Sequence, residues 1–106
     1  MTPIFRWNGQ YFGFVCEKYI YSADGDYVGW IDEDNKVWAQ SGNFLGQLID
    51  ENYVMKNLFD SEPIPRHHNP PKSAPQIPQP ISDRHGKIPQ MGWVDSLEEK
   101  TLELFS

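Results

Sequence analysis

The sequence predicts an all-β fold: repeated antiparallel hairpins around a pseudo-symmetry axis, a proline-rich extended segment, and a short C-terminal helix. Three observations carry this. One phrase is written three times, as Asn8-Gly9-Gln10-Tyr11-Phe12-Gly13-Phe14-Val15, Asp24-Gly25-Asp26-Tyr27-Val28-Gly29-Trp30-Ile31 and Ser41-Gly42-Asn43-Phe44-Leu45-Gly46-Gln47-Leu48. Strand-favouring pairs precede each copy at a constant offset: Ile4-Phe5, Ile20-Tyr21 and Val37-Trp38. Seven of the nine prolines then fall between Pro63 and Pro80, so the composition shifts abruptly. A repeat this short cannot bury an apolar face alone, and its copies must pack on one another.

Each copy reads as strand, tight turn, strand. Asn8-Gly9, Asp24-Gly25 and Ser41-Gly42 supply the turns, the first two being strong hairpin signals. The second glycine of each phrase (Gly13, Gly29, Gly46) lies inside a strand, where glycine marks a bulge, a bend or a close backbone approach. Polar links follow each hairpin: Glu17-Lys18, Asp32-Glu33-Asp34-Asn35 and Asp50-Glu51-Asn52. They are short, so successive strands are expected to form an antiparallel meander. Tyr53-Val54-Met55 opens a fourth unit, but Phe59 stands where its turn glycine is due.

The chain divides into a hairpin-repeat domain over 1-59, a proline-rich linker or strap over 60-80, and 81-106. Prolines at 63, 65, 70, 71, 75, 78 and 80 leave few backbone donors and favour polyproline II. Ile64 and Ile77 give such a strap apolar contacts. Residues 81–88 resume a repeat-like pattern, and Gly92-Trp93-Val94-Asp95 echoes Gly29-Trp30-Ile31-Asp32. Ser96-Leu97-Glu98-Glu99 is a capping box, and Leu97, Thr101, Leu104 and Phe105 continue at helical spacing. That helix is short and is expected to dock on the same domain.

The three copies resemble the units of a small bacterial family, the four-fold β-flower proteins. The resemblance rests on Ile4-Phe5 through Gly9 to Gly13-Phe14, Ile20-Tyr21 through Gly25 to Gly29-Trp30, and Val37-Trp38 through Gly42 to Gly46. It covers residues 3 to 57, and beyond that only the composition agrees. It implies hairpins arranged about a pseudo-fourfold axis with a proline-rich tail, and it implies no activity. The fourth unit departs from the pattern.

Composition narrows the classes of function. The net charge of −6 disfavours nucleic acid and anionic membrane surfaces, because little is gained from counterion release. No apolar run reaches the ~20 residues of a membrane helix, and the cytoplasm is the expected compartment. A lone Cys16 forbids an internal disulfide and reads as a small buried hydrophobe. Asp24-Gly25-Asp26 lacks the further oxygens calcium requires. His67-His68 with His85 reads as surface histidines, and Ser82-Asp83-Arg84-His85 has the letters of a triad without a nucleophile turn. No catalytic residue, metal or cofactor is expected.

Two sets of candidate binding residues remain. Trp7, Tyr27, Trp30, Trp38 and Trp93 could line an opening, though most aromatics of so small a domain belong in its core. Lys72, Pro75 and Pro78 form a basic residue followed by spaced prolines, the pattern accepted by aromatic-lined grooves. The expected function is a non-enzymatic protein- or peptide-interaction module. A small-ligand or carbohydrate-binding protein is the alternative, and self-association through strand edges the third. If the proline-rich segment packs on the repeats, binding falls to a remaining pocket or the opposite face.

Overall fold

A computed structural model describes residues 1–59, 61–79 and 81–97. Eight strands form one antiparallel sheet in chain order: β1 (Thr2–Phe5), β2 (Tyr11–Cys16), β3 (Tyr19–Ser22), β4 (Tyr27–Ile31), β5 (Lys36–Ala39), β6 (Phe44–Ile49), β7 (Tyr53–Asn57) and β8 (Trp93–Asp95). The expected meander and the three hairpins are present. The described residues contain no helix; the expected C-terminal helix falls, from Glu98 onward, outside them, as does Pro80.

The three hairpins share one register. Ile4 pairs with Gly13, Ile20 with Gly29 and Val37 with Gly46; the next pairs are Phe5 with Tyr11, Tyr21 with Tyr27 and Trp38 with Phe44. Phe12, Val28 and Leu45 are therefore the extra residues of three equivalent bulges. A bulge reverses the in–out alternation of a strand. Phe12, Val28 and Leu45 consequently share the interior with Val15, Ile31 and Leu48, three residues further on, while Phe14 and Trp30 between them face outward. The inner glycines permit close approach of the next unit: a Cβ on Gly13 or Gly29 would strike the carbonyl oxygen of Tyr21 or Trp38.

The sheet curls into a half-barrel around an apolar core. Each first strand contributes one fully buried residue (Ile4, Ile20, Val37 and Val54) and the second strands add Phe12, Leu45 and, just past β8, Leu97. The other face carries Phe5, Tyr21, Trp38 and Met55 at the next position of each first strand. Curling brings the ends of the sheet together. Phe5 N donates to Asn52 O at 2.8 Å, Asn52 Nδ2 to Pro3 O at 2.7 Å, Trp7 N to Asp95 Oδ2 at 2.9 Å and Arg6 Nε to Leu97 O at 2.8 Å. Loop and side-chain bonds, not a strand ladder, bridge the two ends.

The fourth hairpin exists but is split. β7 pairs with β8, and residues 58–92 intervene. This corrects the register implied by the echo at Gly92-Trp93. Ser96 N donates to Val54 O, so Ser96 stands where the other units place Gly13, Gly29 and Gly46. Its hydroxyl donates to Leu45 O at 2.6 Å and is fully buried.

The intervening segment runs along the hairpin tips in reverse order. Arg66 N donates to Gly42 O at 2.9 Å, Ile77 lies against Gly25, and Arg84 N donates to Gly9 O at 2.7 Å. Lys87 N then donates to Trp7 O at 2.9 Å. Residues 81–92 carry no strand, so the repeat-like text at 81–88 serves as the end of this strap and not as another hairpin.

Candidate functional site

Cavities open on the outer aromatic band beneath the strap and at the mouth of the half-barrel. The candidate aromatics divide between two sectors of the band. Trp30 and Trp38 are buried and stacked, with centroids 6.0 Å apart. Tyr27 packs on Tyr19 at 5.9 Å and Tyr21 at 6.2 Å. Its hydroxyl is buried and has no hydrogen-bond partner among the described residues. Trp7 and Trp93 lie elsewhere, with Phe5, Tyr53 and Met55, and line a cavity of about 320 Å³ beside Lys87 and Asp95. The five residues therefore do not converge on one opening.

Asp32 fastens the strap to the first sector. It is buried in the β4–β5 turn and accepts the amides of Asp34 and Lys36 at 2.8 and 3.0 Å. Its other oxygen accepts the Trp38 indole N–H at 3.0 Å and meets the Arg66 guanidinium at 3.3 Å. Burial alone would raise its pKa, but the Trp38 indole, the two amides and Arg66 together hold it below the ordinary carboxylate value. Arg66 also pairs with Glu33 at 3.2 Å and lies over the Trp30 ring at 5.3 Å. His68 sits against Trp30 at 4.9 Å and Tyr19 at 5.9 Å, while His67 covers Gly42.

Cations recur over aromatic faces at the far end of the strap. Arg84 lies 4.1 Å over Phe5, and Lys87 lies 4.8 Å over Tyr53 and 5.2 Å over Trp7. Between the two anchored ends, Lys72 and Pro75 arch over a cavity of about 620 Å³ walled by Cys16, Tyr19 and Tyr21. Lys72 is exposed, and Pro75 and Pro78 are half-buried against their own domain. Cys16 is half-buried, where the sequence suggested full burial.

The mouth was not singled out by sequence reasoning. Val15, Ile31 and Leu48, one from each hairpin, floor a cavity of about 390 Å³ at the end of the half-barrel carrying the inter-hairpin turns. Glu17, Lys18, Asp32, Asn35 and Glu51 rim it. Glu17, Asn35 and Glu51 hold left-handed backbone angles of 59°, 62° and 67°, which turn the chain sharply at the rim. The signal was available: two residues after each inner glycine the side chain is always aliphatic, while the residue between varies from Phe14 to Trp30 to Gln47.

Among the described residues, no group of three or more His, Cys, Asp and Glu stands close enough to hold a metal ion. Among the same residues there is no helix long and apolar enough to cross a membrane. In comparisons with known proteins, no family model, curated protein or solved structure matches the chain.

Proposed function

We propose that this chain is a non-enzymatic protein- or peptide-interaction module that grips an apolar side chain at its mouth. The carrying observation is the aliphatic floor of Val15, Ile31 and Leu48, open to solvent while the aromatic face is covered by the strap. The exposed Glu17 and Glu51 at the rim, with a net charge of −6, favour an aliphatic residue flanked by basic ones. The test is an amide chemical-shift titration with short peptides carrying one leucine between two lysines. Shifts centred on Val15, Ile31 and Leu48, abolished by Leu48→Glu, are expected. Shifts elsewhere, or none, overturn the proposal.

Small-ligand binding is the second reading, favoured by a cavity volume of about 390 Å³, within the usual range for such sites. Flat tryptophan fluorescence and unchanged mouth amides across a saccharide, choline and nucleotide panel would remove it. Self-association through strand edges is the weaker third, since the two ends of the sheet face each other across Asn52 and Asp95. We also place the chain with the four-fold β-flower arrangement. That placement is supported by the equivalent packing of Ile4, Ile20, Val37 and Val54 in one core.

A further inference from the structure

The aromatic band holds the chain's own proline-rich segment in a way that reveals what the band can recognise. The segment is fastened at both ends. At one end Arg66 meets Asp32, Glu33, the Trp30 face and Gly42 O. At the other, Asp83 Oδ1 accepts Tyr11 N at 2.8 Å, Arg84 N reaches Gly9 O, and Arg84 and Lys87 cover aromatic rings. Between them the arch over residues 69–79 is loosely held. Its polar attachment to the sheet among the described residues is one long hydrogen bond, Tyr19 Oη to Asn69 O at 3.4 Å. Beneath it lies the cavity of about 620 Å³ against Tyr19 and Tyr21, with the Tyr27 hydroxyl, which has no partner among the described residues, close by.

We propose that this band is a recognition surface for a proline-rich, basic segment of another protein, with residues 66–79 and 81–87 as its resident stand-in. The chemistry is that of polyproline recognition: aromatic rings take proline rings and guanidinium groups, and extended backbone leaves few donors unsatisfied. The resident segment fits the ends and leaves the middle unfilled, because it must also span from β7 to β8. A free segment lacks that constraint and can fill the space against Tyr19 and Tyr21. It competes with a tethered occupant, so its apparent affinity scales with the fraction of chains whose strap is open.

The test uses the full chain and a fluorescein-labelled peptide with the sequence of residues 63–79, read by anisotropy. Arg66→Ala loosens one anchor and is expected to bind the peptide about tenfold more tightly than the unsubstituted chain. Adding Tyr19→Ala to that variant is expected to abolish the gain. Hydrogen exchange over β3–β6 establishes that the sheet is intact; where Arg66→Ala disturbs it, Ile77→Asp loosens the arch from Gly25 instead. Equal binding by the tight and loosened chains overturns the proposal, as does no binding by a loosened chain with a protected sheet. A concentration-dependent dimer of the loosened chain that the peptide reverses assigns the seat to the strap of a second copy, and so overturns the separate partner. Leu48→Glu at the mouth leaves this binding unchanged, so the proposal stands or falls apart from the mouth reading.

Discussion

Replacing Gly9 by alanine should cost far more than replacing Gly25, although both occupy equivalent hairpin turns. Their backbone angles are nearly the same, with φ of 93° and 89°. An L-residue in that region pays about 1–2 kcal/mol at either position. The difference lies in what covers each turn. At Gly25 a Cβ would come 2.9 Å from Ile77 Cδ1, the end of a flexible side chain that can rotate away. At Gly9 it would strike the Arg84 carbonyl oxygen, which belongs to backbone. Relieving that clash lifts the strap and breaks the bonds from Arg84 N to Gly9 O and from Lys87 N to Trp7 O. At about 1 kcal/mol for each bond, Gly9→Ala should cost roughly 3–4 kcal/mol and Gly25→Ala about 1–2. Urea denaturation reads the difference, which corresponds to roughly 8–16 °C in melting temperature for a domain of this size. Amide exchange at Arg84 and Lys87 should quicken in Gly9→Ala alone. Equal midpoints for the two variants would refute the assignment of the strap to the Gly9 turn.

Other outcomes follow from the same geometry. Ser96→Ala removes the buried bond to Leu45 O and should cost about 1–3 kcal/mol by chemical denaturation; Ser96→Gly, which restores the residue type of the other three units, should recover none of that hydroxyl's contribution. Ile20→Ala, at a fully buried position in the shared core, should cost about 2–5 kcal/mol in the same assay. Asp32 has a folded pKa below its unfolded value. Its contribution is therefore complete above about pH 4 and is lost as pH falls through the folded pKa. Urea midpoints measured from pH 6 to pH 2 should fall over that window, and Asp32→Asn should flatten the fall; an unchanged acid limb would show that other carboxylates set it.

Three hairpins were legible because each turn and strand is encoded locally. Asn8-Gly9 and Asp24-Gly25 need only their own residues to specify a turn, and Val37-Trp38 only its own to favour a strand. The inner glycines were legible as departures from regular strand, and the structure gives the departure its form: a bulge beside Phe12, Val28 or Leu45 and a close approach by the next unit. The fourth unit was half legible. Val54-Met55 aligned correctly, but its partner strand stands beyond residue 92, and register across such a gap is decided by tertiary packing. The echo at Gly92-Trp93 followed letters, whereas the position opposite Val54 is held by Ser96, which shares no letter with glycine and spends its hydroxyl on a bond to Leu45 O. The aromatic candidates were chosen by residue type, and type does not say which sector of a curled sheet a side chain joins. The mouth escaped notice because Val15, Ile31 and Leu48 are ordinary aliphatics, conspicuous only once the strand ends are brought together.

The split in the fourth hairpin also sets an order of assembly. The first three hairpins close over residues 6–10, 23–26 and 40–43, but the fourth closes over 58–92. Each doubling of loop length adds about 0.6 kcal/mol of closure entropy, so the last pairing starts about 2 kcal/mol behind the others. It also needs Leu97 and Ser96 to find a core already shaped by Ile4, Ile20 and Val37. During synthesis the three local hairpins can therefore pair as soon as they leave the ribosome, and the nascent sheet keeps its Val54 edge exposed until some forty further residues have been made. Over that interval the bare edge is the part of the molecule most open to pairing with a neighbouring chain.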